Sequence, residues 1–209
     1  MKRVVIIDVG AGNLHSVHKA FVRAGDRVPH QLSITTYARD VAQADAIVLP
    51  GVGAFADCMA GLNALAGMRD MLEEKRNNTP IFGICVGMQM LFARGHEYGE
   101  HAGLGWVAGE VKPLTPTDTT LRIPHMGWNR LELRQPEHPC LRNIAEGAHV
   151  YFVHSYHAVG ACAQDIAAEV DYGGKTVAII ARDNLFATQF HPEKSQRTGL
   201  RMIENFLRM

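Results

Sequence analysis

The Gly-x-Cys-x-Gly stretch centred on Cys85 is the feature that most constrains how this chain can fold. The apolar run that follows Pro80 predicts a short buried strand, and after Cys85 the apolar residues Val86, Met90 and Leu91 recur at helical spacing. Small residues beside Cys85 suit a sharp, strained turn that presents its side chain at the carboxyl end of the strand. Cys85 is therefore a candidate nucleophile. A buried structural cysteine is the alternative, because the stretch itself contains no base.

Composition and charge exclude several classes of protein. The chain has 209 residues, of which 47% are hydrophobic and 20% charged, which suits one α/β domain spanning residues 1–209. Lys plus Arg and Asp plus Glu both number 21, so no overall field favours nucleic acid or an anionic membrane.

The cysteines and the N-terminus indicate the compartment. The four cysteines are far apart and form neither a CxxC pair nor a zinc-site spacing. The apolar run from Val4 to Ile7 is too short for a signal peptide, and no stretch approaches the roughly 20 apolar residues of a membrane span. We therefore expect a cytoplasmic protein with reduced thiols.

Alternating strand and helix patterns predict the fold class. The first half of the chain alternates them, with strands near residues 4–9, 28–34, 46–49 and 81–85 and helices near 13–24 (capped by Gly25), 38–42 and 55–75. This order predicts an open, mostly parallel, doubly wound sheet with flanking helices. Residues 103–133 favour an antiparallel extension of the sheet. Further strands are predicted near 166–170, 176–181 and 185–189, and residues 199–209 are predicted to form a helix with one apolar face.

Two stretches resemble sites that their spacing does not support. Gly10-x-Gly12 resembles a dinucleotide fingerprint, but His15 stands where the third glycine belongs and no acidic residue follows about 20 positions later. The stretch from His96 to His101 is one residue too long for the H-E-x-x-H zinc motif, and Gly99 weakens the helix that motif needs. We predict neither a cofactor nor a metal site.

Three further stretches are compatible with two interpretations each. Residues 50–53, Pro-Gly-Val-Gly, form either a ligand loop at a strand end or a plain tight turn. Residues 124–129, Pro-His-Met-Gly-Trp-Asn, form either a contact surface or a packed corner. The polar residues 154–157 either line a cleft or hydrogen-bond to one another.

His191-Pro192-Glu193 supplies the base that Cys85 lacks. His191 follows a predicted strand, which places its imidazole at the same sheet edge as Cys85. Pro192 stiffens the turn, and Glu193 can accept a hydrogen bond from the second ring nitrogen of His191. The leading hypothesis is a Cys–His–Glu triad.

With these residues in place, the chain resembles the class I glutamine amidotransferases over nearly its whole length. The sharp strand-to-helix turn at Cys85 and the His-Pro-Glu stretch are typical of the whole family. More specific likenesses point to the glutaminase subunits that deliver ammonia to a separate (β/α)₈-barrel cyclase in histidine biosynthesis. They lie at residues 10–17, 50–53, 124–129, 151–156 and 189–195.

The resemblance implies a role for each matching residue. Cys85 would attack glutamine, His191 would shuttle the proton and Glu193 would orient His191, while the amides of Val52 and Val86 would form the oxyanion hole. A loop whose peptide must reorient to supply one of those amides would act as an off-switch. Two further sets follow from the family pattern. The implied substrate-binding residues are Gly51, Gly53, Gln89, Glu97, His154, Ser155 and Tyr156. The implied cyclase-facing residues are Asn13, Met126, Trp128 and Lys194.

The expected activity is glutamine hydrolysis in a heterodimer with the cyclase, without a cofactor. Alternatives are a related subunit serving another synthase, for instance in amino-sugar biosynthesis, a γ-glutamyl hydrolase, or a non-catalytic regulatory subunit. The chain departs from the family pattern at Val9, where tyrosine is usual, and at residues 93–96, which are less acidic than usual. Both departures concern details of partner contact and loop packing.

Overall fold

The computed structural model describes residues 1–10 and 12–209. The strands, in chain order, are β1 (Lys2–Ile7), β2 (His30–Thr35), β3 (Ala46–Gly51), β4 (Ile81–Cys85), β5 (Arg94–Gly95), β6 (His101–Ala102), β7 (Glu110–Pro113), β8 (His125–Arg130), β9 (Glu132–Leu133), β10 (His149–His154), β11 (Tyr156–Val159), β12 (Ile166–Asp171), β13 (Lys175–Arg182) and β14 (Leu185–Thr188). The α-helices are α1 (Leu14–Gly25), α2 (Ala38–Ala42), α3 (Phe55–Ala64), α4 (Met68–Lys75), α5 (Val86–Gln89) and α6 (Gln196–Leu207).

The main sheet has the order β2-β1-β3-β4-β14-β13-β12-β9. The first five strands are parallel, and the last three continue the sheet in antiparallel pairing. Strands β3, β4 and β14 are buried along their whole length because helices cover both faces of the sheet there, whereas the edge strand β2 carries mostly polar residues and is partly exposed. The predicted α/β class with a mostly parallel sheet and an antiparallel extension is confirmed.

Chain direction places helices on both faces of this sheet. The step from β1 to β2 runs one way across the sheet, whereas the steps from β2 to β3 and from β3 to β4 run the other way. Because such crossovers are right-handed, α1 lies on one face and α2, α3 and α4 on the other. Helix α6 packs beside α1, and Phe206 of α6 and Phe21 of α1 both contact Phe82 of β4, with ring centroids 5.2 and 6.3 Å away.

The antiparallel extension is not built from the segment that the sequence indicates. Of residues 103–133, only β9 joins the main sheet. Strand β7 belongs to a small sheet of order β11-β7-β5-β6, and β8 pairs with β10 in a two-stranded sheet. The extension consists mainly of β12 and β13, which form an antiparallel pair after residue 165.

Two of the predicted helices also differ from the structure in their bounds. Helix α1 includes Gly25, because the chain leaves it through Asp26 in a right-handed conformation that needs no glycine. The helix predicted over residues 55–75 is two helices, since Gly67 adopts a φ of +69° just before α4. None of the helices among the described residues is long and apolar enough to cross a bilayer.

The helix after Cys85 is a single turn, α5. Beyond it, the backbone carbonyls of Met90 and Leu91 accept hydrogen bonds from the amides of Leu104 and Trp106, each 2.8 Å away. These bonds to a distant segment replace the helical ones and end the helix. The apolar spacing that predicted a longer helix instead reflects burial on all sides.

Candidate active site

Cys85 ends β4 in a strained backbone conformation, with φ +54° and ψ −111°. A positive φ costs free energy for any residue with a β-carbon, so the surrounding fold must hold it there. Close packing explains the neighbouring glycines. A β-carbon on Gly87 would collide with the carbonyl oxygen of Leu49, and one on Gly51 would lie 2.9 Å from the Gly87 nitrogen. The end of β3 and the turn after β4 are therefore in direct backbone contact.

His191 and Glu193 lie at the same edge of the sheet as Cys85. Nδ1 of His191 donates a hydrogen bond to Oε1 of Glu193 over 2.7 Å, and both side chains are almost completely buried. The imidazole also interacts with the side chain of Cys85. Burial by itself would lower the pKa of His191, but the contacts with Cys85 and Glu193 outweigh it and raise that pKa to about 10. The arrangement favours an imidazolium beside the sulfur.

The backbone of His191 is held by a serine and a neighbouring strand. The His191 amide donates to the carbonyl of Tyr151 over 3.0 Å, and the Ser195 hydroxyl donates to the His191 carbonyl over 2.7 Å. The same hydroxyl accepts from the Tyr151 amide over 2.9 Å. Ser195 therefore joins the histidine turn to β10.

The loop of residues 51–53 lies next to Cys85. Gly51 is paired with Cys85 in the register of β3 and β4, so Val52 is the first residue beyond the strand at this point. Val52 is 40% exposed, whereas Val86 is buried. The Cys58 thiol, under the loop, donates to the Val52 carbonyl over 3.5 Å. Burial raises the pKa of Cys58 to about 12, so this thiol remains a donor at neutral pH.

Gln89 is buried one turn beyond Cys85 and connects two segments. Its Nε2 donates to the Tyr156 carbonyl over 3.0 Å and to Oε1 of Gln189 over 3.1 Å. Gln189 in turn places its Nε2 3.9 Å from the Cys85 sulfur. Sequence reasoning overlooked Gln189, although it lies two positions before His191 in the same strand-to-turn segment.

Glu97 has a structural partner at the loop. Its Oε2 accepts a hydrogen bond from the Phe55 amide over 2.9 Å, so the carboxylate lies at the N-terminus of α3, directly after residues 51–53. The side chain is half-buried. Glu97 thus joins the segment after α5 to the start of α3.

His154 is the end of a directional chain of hydrogen bonds. Its Nδ1 donates to the Tyr156 carbonyl over 2.9 Å, so its Nε2 must accept from Nδ1 of His125, 3.1 Å away. Nε2 of His125 then accepts from the Asn129 side chain over 3.3 Å. Burial lowers the pKa of His154 to about 3 and that of His125 to about 4, so both rings are neutral. Ser155 lies half-buried between β10 and β11, and its carbonyl accepts from an amide after β7.

The residues expected to face a partner lie on exposed positions. Met126 and Trp128 are 62% and 47% exposed, and they alternate along β8 with the buried His125 and the less exposed Gly127 and Asn129. Lys194 is exposed, with Nζ 5.9 Å from the centre of the Tyr151 ring. Asn13 is exposed and caps α1 by accepting from the Ser16 amide. Residues 124–129 thus combine exposed and packed positions, since Met126 and Trp128 point outward and His125 inward.

Among residues 1–10 and 12–209, no group of three or more His, Cys, Asp and Glu side chains is arranged to hold a metal ion. His96, which belongs to the metal-like stretch, instead contacts Oε2 of Glu110 over 2.7 Å. Lys112 contacts the other oxygen of the same carboxylate.

Comparison with known proteins assigns the chain to a family. The family model described as "Glutamine amidotransferase class-I" matches residues 5–209. The chain is 50% identical to the imidazole glycerol phosphate synthase subunit HisH of Bradyrhizobium diazoefficiens, over 98% of each chain. It is also 50% identical to the HisH subunit of Rhodospirillum rubrum, over 99% of this chain and 98% of the relative. A crystal structure of a glutamine amidotransferase shares the fold, with a TM-score of 0.73 at 17% identity over 99% of both chains. This chain therefore belongs to the class-I glutamine amidotransferase family.

Proposed function

We propose that this protein is the glutaminase subunit of an imidazole glycerol phosphate synthase. The buried Cys85–His191–Glu193 contact chain is the observation that carries the chemistry. The choice of synthase is supported by relatives named as HisH subunits, which are 50% identical to this chain over nearly its full length.

The reaction begins at the sulfur. The Cys85 thiolate bonds to the side-chain amide carbon of glutamine, the carbon–nitrogen bond breaks, and His191 gives its proton to the departing nitrogen, which leaves as ammonia. Water then adds to the glutamyl thioester while His191 accepts its proton. Cleavage of the carbon–sulfur bond releases glutamate and regenerates Cys85. Glu193 keeps Nδ1 of His191 protonated and directs the other ring nitrogen toward the sulfur and the reacting atoms.

The amides of Val52 and Val86 would stabilise the oxyanion that forms in both steps. Losing one such donor costs roughly a hundred- to a thousandfold in rate. Since Val52 lies on an exposed loop beside Cys85, its orientation is suited to control by a partner. We propose this loop as the switch of the glutaminase.

Glutamine would bind between Gln89, Glu97 and the segment 154–156, with Gly51 and Gly53 allowing close backbone approach. The free oxygen of Glu97 would attract the α-ammonium while the other caps α3. Substrate binding and the start of α3 would then depend on the same carboxylate.

The partner would be a separate (β/α)₈-barrel cyclase, bound through Asn13, Met126, Trp128 and Lys194. Ammonia passing to its active site would yield imidazole glycerol phosphate and an aminoimidazole carboxamide ribotide. We propose a single cytoplasmic domain that forms a heterodimer with this cyclase and needs no cofactor.

Glutamate release from glutamine, measured for this chain alone and with a histidine-pathway cyclase and its nucleotide ligand, tests the proposal. We expect little turnover alone and strong stimulation by the liganded cyclase. Substantial turnover that the cyclase leaves unchanged would keep the thiol chemistry but reject the proposed synthase. The absence of turnover under both conditions would reject the glutaminase itself.

A further inference from the structure

Gln189 contacts the sulfur of Cys85 through its side-chain amide, with Nε2 3.9 Å away. No other side-chain amide in the described part of the chain does so. It follows β14, whose last residue Thr188 pairs with Ile84, so Gln189 lies beside Cys85 across the parallel strands. Its side chain is completely buried. A buried amide needs partners for its hydrogen-bonding groups, and here the sulfur is one of them.

The surrounding hydrogen bonds fix which end of the Gln189 amide faces the sulfur. The carbonyl of Tyr156 can only accept, so the atom of Gln89 that faces it must be the nitrogen. The same nitrogen of Gln89 also contacts Gln189, which must therefore present its oxygen to Gln89. The nitrogen of Gln189 is consequently the atom directed at Cys85, where it can act only as a donor.

We propose that Gln189 is a further catalytic residue, whose N–H donates to the Cys85 sulfur and stabilises the thiolate before attack. This inference rests on the proposed nucleophilic role of Cys85. A donor that is held in place by Gln89 costs no reorganisation when charge resides on the sulfur, and burial strengthens its effect. His191 and Gln189, two positions apart in the segment that follows β14, would then both act on the same sulfur.

The test is the pH profile of Cys85 alkylation by iodoacetamide in the isolated full chain, read for each cysteine by mass spectrometry. For Gln189→Met, which keeps the volume and removes the donor, we expect the midpoint of the profile to rise by about one pH unit and the rate at pH 6.5 to fall about tenfold. Gln189→Glu, which directs an anionic or acceptor oxygen at the sulfur, should shift the midpoint further in the same direction.

Thr188→Val is the matched control. It removes a buried polar group from the preceding position, where the hydroxyl bonds to the Phe190 carbonyl, without contacting Cys85. The midpoint of its alkylation profile should equal that of the chain without substitutions. Exposed Cys162 reports the reactivity of the reagent, and buried Cys140 reports intact folding of each variant.

An unchanged midpoint in a folded Gln189→Met or Gln189→Glu variant would overturn the proposal. If Cys140 becomes reactive in Gln189→Met, that variant is not folded. The Gln189→Glu variant, which preserves size and polarity, then provides the test alone. Alkylation does not require glutamine turnover. A shift in a chain without glutaminase activity would therefore support the contact while rejecting the proposed function.

Discussion

Trp128 and Tyr151 lie directly opposite each other across the β8–β10 pair, with ring centroids 5.9 Å apart and planes at 72°. This edge-to-face contact holds a half-exposed indole upright on the surface. Nζ of Lys194 lies 5.9 Å from the centre of the Tyr151 ring, so the exposed end of the turn 191–194 and the exposed face of β8 meet at Tyr151. The proposed partner surface is thus continuous with the segment that carries His191.

Trp128→Ala should weaken binding of the cyclase. Large aromatic residues at the centre of interfaces commonly contribute more than 2 kcal/mol, so we expect the dissociation constant to rise roughly thirtyfold or more. Tyr37→Ala, at another exposed aromatic residue that follows β2, is the control and should leave the constant unchanged. Titration calorimetry measures both, and equal constants for Trp128→Ala and the unmodified chain would remove Trp128 from the interface.

Glu193→Gln should impair catalysis without unfolding the protein. The substitution keeps the shape but removes the charge that helps to raise the pKa of His191. We expect kcat for glutamate release in the complex to fall by roughly a hundred- to ten-thousandfold. Glu146→Gln, at a carboxylate that accepts from the Leu133 amide, is the matched control. A normal kcat and pH profile for Glu193→Gln would show that the carboxylate does not orient His191.

Sequence reasoning proposed Cys85, His191 and Glu193 as one site, and the structure brings them together; each belongs to a short recognisable segment. Gly87 is required by a steric contact with β3 and Gly83 by contacts with Gly87 and Ala187, while His191-Pro192-Glu193 places the imidazole and its carboxylate partner two positions apart. These features are visible in the sequence because each motif occupies a few consecutive residues, even where the contact that requires it is distant.

Long-range pairing explains what the sequence did not reveal. Gln189 contacts a sulfur 104 positions earlier, and Glu97 caps a helix that starts 42 positions before it. The pairing of β8 with β10, away from the main sheet, likewise depends on which strands meet in space. The single-turn helix α5 ends because residues 104–106 supply hydrogen bonds to its continuation. Apolar periodicity carries no information about such contacts.

His154→Gln should reduce the loss of stability at acid pH. Burial lowers the pKa of His154 to about 3, so near pH 5 only the unfolded chain binds this proton. The contribution of neutral, buried His154 to the free energy of unfolding is therefore complete above pH 6.5 and is lost as the pH drops toward 3. Removing the group should shrink the difference in unfolding free energy between pH 7 and pH 5 by roughly 2 kcal/mol.

Urea denaturation at the two pH values measures this difference. His149→Gln, at an exposed histidine in the same strand, provides the comparison. The burial account fails if His154→Gln retains the full pH difference of the unmodified chain.

Gly87→Ala should destabilise the whole domain. Its β-carbon would collide with the Leu49 carbonyl, which belongs to a buried central strand and cannot move aside easily. We expect a loss of more than about 4 kcal/mol in unfolding free energy. Gly10→Ala has a positive φ but no atom within 4 Å of the added carbon, so it should cost only about 1 kcal/mol. Similar melting temperatures for the two variants would contradict the close contact between β3 and the turn that follows Cys85.

The most direct measurement compares two nitrogen sources for Cys85→Ser in complex with the cyclase. The side chain is buried beside His191, so serine should leave the fold and the partner surface intact while removing the thiolate. We predict that glutamine-dependent synthesis of imidazole glycerol phosphate is abolished and that synthesis from added ammonia proceeds at the normal rate. Loss of both activities would show that Cys85 is structural. Retention of glutamine-dependent synthesis would contradict its role as the nucleophile.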